Sequence, residues 1–337
     1  MLTRRQFLVG ASAAAGAAAG VASGSAEAAL TRAPRPMPSA AVGILYDSTL
    51  CIGCQACVSA CRVANDVEIA HVPAPLADWN AANTWALAED LDGETLNVIK
   101  VYRNGSAAVK DSDTDGFAFM KRHCLHCVDA SCISVCPVQA MTKDPVTGIV
   151  GYDPDACIGC RYCSYGCPFG VPQFDLSRAL GQINKCQMCR HIQAEGGIPA
   201  CCDVCPTGAS LFGPVALLQD EAERRLAAEP GATHRFPRGD IRDERPDHEA
   251  TIPHYVKHVY GQYELGGTQV RYLSGIAFAK LGLPTLGNVA PVRFVEGLQH
   301  TLYNYLLAPL VVLFGLAWVV RRNKPRVDAQ DSPTEEN

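Results

Sequence analysis

The chain has 337 residues, 48% of them hydrophobic and 19% charged, with a formal net charge of −5. That length exceeds one typical domain and supplies ample apolar material for a buried core, which excludes a disordered, solvating chain. The mildly acidic balance offers no broad surface for polyanions, so nucleic acid is not an expected partner.

In chain order, TRRQFLVG at 3–10 joins two arginines to an alanine-rich apolar run that reaches Val21. This is the form of a twin-arginine export signal, and Ala26-Glu27-Ala28 offers a small-x-small cleavage site, giving a signal over 1–28. A proline-rich linker follows over 29–41, and a cysteine-rich domain is expected over 42–230. Within it, 62–120 is an insertion in which LNVIKVYR at 96–103 and GFAFMKRHC at 116–124 read as strands. PVALLQDEAERRLAAEP at 214–230 has apolar positions at helical spacing, 231–253 reads as a polar connector, and TQVRYLSG at 268–275 reads as a strand within an extension over 231–300. Thr301 to Val320 is an uncharged run followed by Arg321, Arg322, Lys324 and Arg326, which predicts a transmembrane helix over 301–320 and a cytoplasmic tail over 321–337. Tyr303, Tyr305 and Trp318 suit interfacial belts, and Pro309 suits a kink.

Cysteine dominates the chemistry, with 17 copies in four sets. Cys51-x2-Cys54-x2-Cys57-x3-Cys61 and Cys157-x2-Cys160-x2-Cys163-x3-Cys167 have the bacterial ferredoxin spacing, which holds [4Fe-4S] clusters. Cys124-x2-Cys127-x4-Cys132-x3-Cys136 and Cys186-x2-Cys189-x11-Cys201-x3-Cys205 are stretched variants. A disulfide framework suits small secreted chains with even counts, and structural zinc uses two pairs about a dozen residues apart, so neither fits as well. Gly53 and Gly159 stand where the loop turns around a cluster with its amides aimed at sulfur. Pro137, Pro168 and Pro206 follow the last cysteine of three sets, whereas Arg62 follows Cys61. Cys202 is left over, because Cys201 keeps the x3 spacing to Cys205, and reads as a small buried residue. Tyr162 and Tyr165 are expected to shield a cluster from water.

The runs LYDSTLCIGCQACVSAC, CLHCVDASCISVCPVQAMTKDPVTGIVGYD, CIGCRYCSYGCPFGVPQFD and KCQMCR…GIPACCDVCPTGA resemble the four-cluster electron-transfer subunits of membrane-bound oxidoreductases. That family includes the beta subunit of formate dehydrogenase and, most similar here, the HybA-type subunits of hydrogenase-2. The resemblance extends to VYGQYELGGTQVRYLSG at 259–275 and QHTLYNYLLAPL at 299–310. It implies an α+β fold of two tandem ferredoxin-like dicluster units with inserted strands and one C-terminal transmembrane helix. It also implies four [4Fe-4S] clusters with exchanged ligands. Cys51, Cys54 and Cys57 would bind with Cys205, and Cys186, Cys189 and Cys201 with Cys61. Cys124, Cys127 and Cys132 would bind with Cys167, and Cys157, Cys160 and Cys163 with Cys136.

Clusters with four cysteine ligands have no open position, and no G-x-G-x-x-G fingerprint is present, so the expectation is a non-catalytic electron-transfer subunit. The resemblance implies the small and large subunits of a [NiFe] hydrogenase as donor and a polytopic quinone-binding membrane subunit as acceptor. The signal and the apolar run together predict a single pass through the cytoplasmic membrane, with the cluster domain periplasmic and the bilayer as a partner. Two alternatives stand beside this reading: the iron-sulfur subunit of a formate dehydrogenase or other molybdopterin enzyme, and a cysteine-rich structural or metal-storage membrane protein.

Overall fold

A computed structural model describes residues 31–65, 90–93, 95–174, 181 and 183–323. The expected export signal, the tail beyond Asn323 and much of the insertion lie outside the described residues. The chain divides into two units, Ala33–Val292 and a second formed by Met1–Arg32 with Arg293–Asn337.

In the larger unit, β1 (Val42–Asp47) and α1 (Ala56–Ala64) lead into β2 (Val98–Arg103), β3 (Val109–Lys110) and β4 (Gly116–Arg122). Then come α2 (Ser131–Ser134), β5 (Met141–Lys143), β6 (Val150–Tyr152), α3 (Tyr162–Gly166), β7 (Gln173–Phe174) and β8 (Ile183–Asn184). The remainder comprises α4 (Arg190–Ala194), α5 (Ala200–Asp203), β9 (Ser210–Pro214), α6 (Val215–Ala227), β10 (Thr233–Phe236), β11 (Gly239–Asp240), β12 (His248–Thr251) and β13 (Val270–Leu273).

The organising layer is a sheet in the order β11-β9-β1-β13. β1 runs antiparallel to β9 and parallel to β13, with Tyr46 opposite both Ser210 and Tyr272. Strand side chains alternate between faces. Leu45, Leu211 and Leu273 therefore meet Leu218 and Ala222 of α6 on one side. Ile44, Tyr46, Phe212, Val270 and Tyr272 face the other way, into a core shared with Cys51, Cys57, Cys61, Cys124, Cys186 and Cys201. The inserted strands form a second sheet, with β2 antiparallel to β4 from Val98 opposite Arg122 to Arg103 opposite Phe117. They add Val98, Ile99, Phe119 and Met120 to that same core.

The strands expected at 96–103, 116–124 and 268–275 and the helix expected at 214–230 are present with trimmed ends. The connector expected over 231–253 instead contains β10 and β12, paired antiparallel from Thr233 opposite Thr251 to Phe236 opposite His248. Its polar composition hid the hairpin because only Phe236 supplies a fully buried side chain, and backbone pairing does the rest.

The transmembrane helix expected over 301–320 requires correction. Among the described residues no helix is long and apolar enough to cross a membrane. Residues 301–320 belong to α7 (Pro291–Asn323), which contains Pro309 and begins with a segment bearing Arg293, Glu296 and His300. Tyr303, Asn304 and Tyr305 interrupt the apolar run. The uninterrupted part, 306–320, rises only about 22 Å, short of the ~30 Å hydrocarbon layer. The single-pass anchor and the orientation drawn from it fall with this finding. Within the smaller unit, Arg32 ion-pairs with Glu296, and the Arg293 Nε donates to the Arg32 carbonyl oxygen at 2.9 Å.

One buried ionic group fixes α6 to β1. Arg225, fully buried, donates to Asp47 Oδ2 at 2.9 Å and Glu221 Oε1 at 2.7 Å, and its guanidinium lies 4.9 Å from the centre of the Phe236 ring. The Tyr255 hydroxyl donates to the same Asp47 oxygen at 2.7 Å. Arg225→Ala leaves buried Asp47 without its cation and Glu221 with Arg224 alone, so it is expected to cost about 3–5 kcal/mol, as is usual for breaking a buried pair. The shift in urea midpoint of the anaerobically purified protein measures this; a loss below about 1 kcal/mol would be the value for an exposed pair and would refute a structural role.

Candidate metal centre

Each cysteine set begins with a loop whose third position is left-handed: Gly53 (φ 70), His126 (φ 49), Gly159 (φ 69) and Met188 (φ 52). This turns the amide of that residue back on the first cysteine. Gly53, Gly159 and Met188 N–H donate to the Sγ of Cys51, Cys157 and Cys186 at 3.5, 3.4 and 3.3 Å. The glycine expectation therefore holds at Gly53 and Gly159. The same conformation at His126 and Met188 was missed because the left-handed region costs other residues only about 1–2 kcal/mol, which the surrounding packing offsets.

The third and fourth cysteines of each set are four residues apart. α1 carries Cys57 and Cys61, α2 carries Cys132 just before Cys136, α3 carries Cys163 just before Cys167, and α5 carries Cys201 just before Cys205. In α1, where both cysteines of the pair are helical, four residues rise about 6 Å along the axis, and Cys61 lines a different cavity from Cys57.

Three cavities take up cysteines of more than one set. The first (site I) is lined by Cys51, Cys54, Cys57 and the distant Cys205. The second (site II) is lined by Cys186, Cys189, Cys201 and Cys61. Another (site IV) is lined by Cys157, Cys160, Cys163 and Cys136. The remaining four thiols (site III) also gather: burial raises the Cys127 thiol far above its ordinary range, and Cys167, Cys124 and Cys132 add to the rise. Three groups of four cysteines thus each line a cavity, and Cys167, Cys124 and Cys132 are neighbours of Cys127.

The sites follow one another. Burial pushes Cys57 up to about 12, with Cys201 of site II among the neighbours that add to it. Cys186 is likewise pushed by burial to about 12, helped by Cys124 of site III. Cys132 of site III is raised first by burial and also by Cys163 of site IV. The order is I, II, III, IV, with site II deep in the core and Cys160 of site IV exposed.

The donor chemistry suits a polynuclear cluster. All 17 cysteines are free thiols. Four soft thiols spread around a cavity are the ligands such a cluster takes. Burial raises the Cys57 and Cys186 thiols to about 12, so metal binding there must displace a proton.

Residues outside the motifs complete the sites. The Tyr46 hydroxyl reaches the Cys51 thiol, opposing the burial that raises it to about 11. Ser210 N–H donates to Cys205 Sγ at 3.4 Å. Lys121, fully buried on β4, donates to Ser210 Oγ at 3.0 Å. Burial acts to discharge it, but Cys201 and Cys57 outweigh that and hold its pKa well above the ordinary value. Lys185 reaches the Cys186 carbonyl at 3.0 Å and Lys143 the Cys127 carbonyl at 2.6 Å. No sequence signal marks these lysines, since a lone Lys in a strand is usually solvated. Cys202 is fully buried, as expected, and hydrogen-bonds to Cys201, drawing that thiol down to about 5 against burial. Tyr162 and Tyr165 do not shield site IV: they are 58% and 87% exposed on the outer side of α3. Met141, Tyr152 and Ile183 line that cavity instead.

Residues 116–215 match the 4Fe-4S dicluster domain family. The chain is 42% identical over 326 residues to the hydrogenase-2 operon protein HybA of Escherichia coli O157:H7, an alignment covering 96% of each. The chain belongs to the HybA family. Its relatives include the formate dehydrogenase iron-sulfur subunit of Haemophilus influenzae, 29% identical over 87% of this chain and 83% of that one. Protein NrfC of Escherichia coli is 31% identical over 69% of this chain and 89% of its own length. Like other members of these families, this HybA homologue is an iron-sulfur electron-transfer subunit.

The two glycines separate strain from collision. A Cβ on Gly53 would stand 2.3 Å from the Phe119 ring, whereas on Gly159 the nearest atoms are at 3.3 and 3.4 Å. Gly159→Ala is expected to cost about 1–2 kcal/mol from backbone strain alone. Gly53→Ala adds a clash inside the core and should lower both iron content and melting temperature further; equal effects in side-by-side iron assays and melts would contradict this.

Proposed function

We propose that the chain holds four [4Fe-4S] clusters and relays electrons from a [NiFe] hydrogenase catalytic dimer to a polytopic membrane subunit that exchanges them with quinone. Cys51, Cys54, Cys57 and Cys205 would hold the first cluster, and Cys186, Cys189, Cys201 and Cys61 the second. Cys124, Cys127, Cys132 and Cys167 would hold the third, and Cys157, Cys160, Cys163 and Cys136 the fourth. The observation that carries this reading is the completion of each three-cysteine group by one thiol from a distant motif, with the four groups in a consecutive series.

A bound cluster supplies a one-electron carrier with all iron positions ligated, so it offers a substrate nothing to bind. What the chain contributes is environment. The amides of Gly53, Gly159, Met188 and Ser210 donate to thiolate sulfur, and the core around sites I and II excludes water. Exposure rises towards site IV, where Cys160 meets solvent, which suits an end of the series that exchanges electrons with a partner.

The hydrogenase partner rests on the full-length likeness to HybA, named for the hydrogenase-2 operon, as against the lower identity to the formate dehydrogenase subunit. TRRQFLVG supports export of the folded, cluster-loaded chain to the periplasmic side, since thiols exported bare would meet an oxidising compartment.

Anaerobic purification followed by metal analysis tests both halves. About sixteen iron atoms per chain with copurifying nickel is the expected result; molybdenum in place of nickel would reassign the donor, and zinc would overturn the clusters. Cys167→Ala is expected to remove or convert the site III cluster, losing about one to four iron atoms. Unchanged iron and an unchanged electron paramagnetic resonance spectrum would refute the exchange of ligands between sets.

A further inference from the structure

We infer that the Lys121 ammonium is a shared internal counter-ion of sites I and II, raising the reduction potentials of those two clusters selectively. The inference rests on the cluster assignment above. Lys121 sits on β4 opposite Ile99 of β2 and is fully buried. It lies against Cys57 of site I and Cys201 of site II, and it lines the cavity of site II. Its Nζ donates to the Ser210 hydroxyl at 3.0 Å, and the Ser210 N–H donates to Cys205 of site I at 3.4 Å. One ammonium thus touches both ligand sets through a chain of short polar contacts.

Burying an ammonium is costly unless an opposite charge meets it. Among the described residues no carboxylate pairs with Lys121; its partners are a neutral hydroxyl and the thiols of Cys57, Cys201 and Cys202. Two other buried or half-buried lysines differ in this respect. Lys185 donates to the carbonyls of Val150 and Cys186, and Lys143 to that of Cys127, so backbone dipoles absorb much of their charge. Only thiolate sulfur, and the cluster attached to it, can balance Lys121. Reduction adds one negative charge to a cluster, and a fixed cation in a low-dielectric core favours the reduced form. The effect falls on both neighbours because the ammonium lies against Cys57 of site I and Cys201 of site II, whereas the cations that act on Cys132 and Cys127 of site III are Lys185 and Lys143. Lys121 is a positioning charge; it moves no electron itself.

The test is a redox titration of the full chain, purified anaerobically, followed by electron paramagnetic resonance, for the wild type, Lys121→Met and Ser210→Ala. Methionine keeps the length and removes the charge. The expected result is a full complement of iron, with two of four signals shifted to lower potential by at least tenfold in the reduced-to-oxidised ratio, about 59 mV for one electron. The other two should move by less than about twofold, since a charge effect weakens with distance. Four unchanged potentials, or four that move alike, would overturn the inference while leaving the clusters in place. Should Lys121→Met lose iron, Ser210→Ala decides: a smaller downward shift confined to two signals supports the shared cation, and no shift overturns it. Wild-type protein without about sixteen iron atoms would refute the cluster assignment itself, and the inference with it.

Discussion

The structure depends on a single spacing: the third and fourth cysteines of every set are four residues apart in the chain. In the structure Cys61, Cys205 and Cys136 each line the cavity of another set, so those groups of three are completed from elsewhere in the chain. The completing residues are remote, Cys205 for the group at 51–57 and Cys61 for the group at 186–201. No set forms a closed site alone, and the segments around 51–61 and 186–205 become mutually dependent. The packing of α1 against α5, which carry Cys57, Cys61 and Cys201, is the structural form of that dependence.

The sheet makes this arrangement rigid. Alternation along β1 sends Leu45 towards α6 and Ile44 and Tyr46 towards the cysteines, so one strand couples the two cores. The parallel partner β13 returns from more than two hundred residues away and seals the edge. On the α6 side, the Asp47–Arg225–Glu221 group substitutes ionic contact for apolar packing where strand meets helix. A buried pair of this kind adds little net stability over a hydrophobic equivalent but penalises any displacement of its members, which suits a layer that positions thiols.

Electrostatics then governs what the sites do. Burial pushes Cys57 and Cys186 up to about 12, so these two thiols are poor nucleophiles and metal binding must expel their protons. Backbone amides and buried lysines supply the compensating positive potential in a core with few carboxylates near sulfur. Site II, deepest in that core, and site IV, with the exposed Cys160, occupy opposite dielectric environments within one chain.

The cysteine spacings by themselves determined the cofactor class, the four sets and the turns at Gly53 and Gly159, and apolar periodicity determined the helix α6, because ligand spacing and helical periodicity are local properties. The inserted strands β2 and β4 and the strand β13 were legible for the same reason. Which strands pair was not: β1 with β13 and the hairpin of β10 with β12 are fixed by backbone contacts that composition does not encode. The apolar run at 301–320 misled because a local count of uncharged residues ignored the tyrosines, Asn304 and the longer helix that contains it. Lys121, Cys202 and the left-handed His126 and Met188 gained their roles only from tertiary structure, since the field at a buried charge and the strain a backbone can bear depend on neighbours distant in sequence.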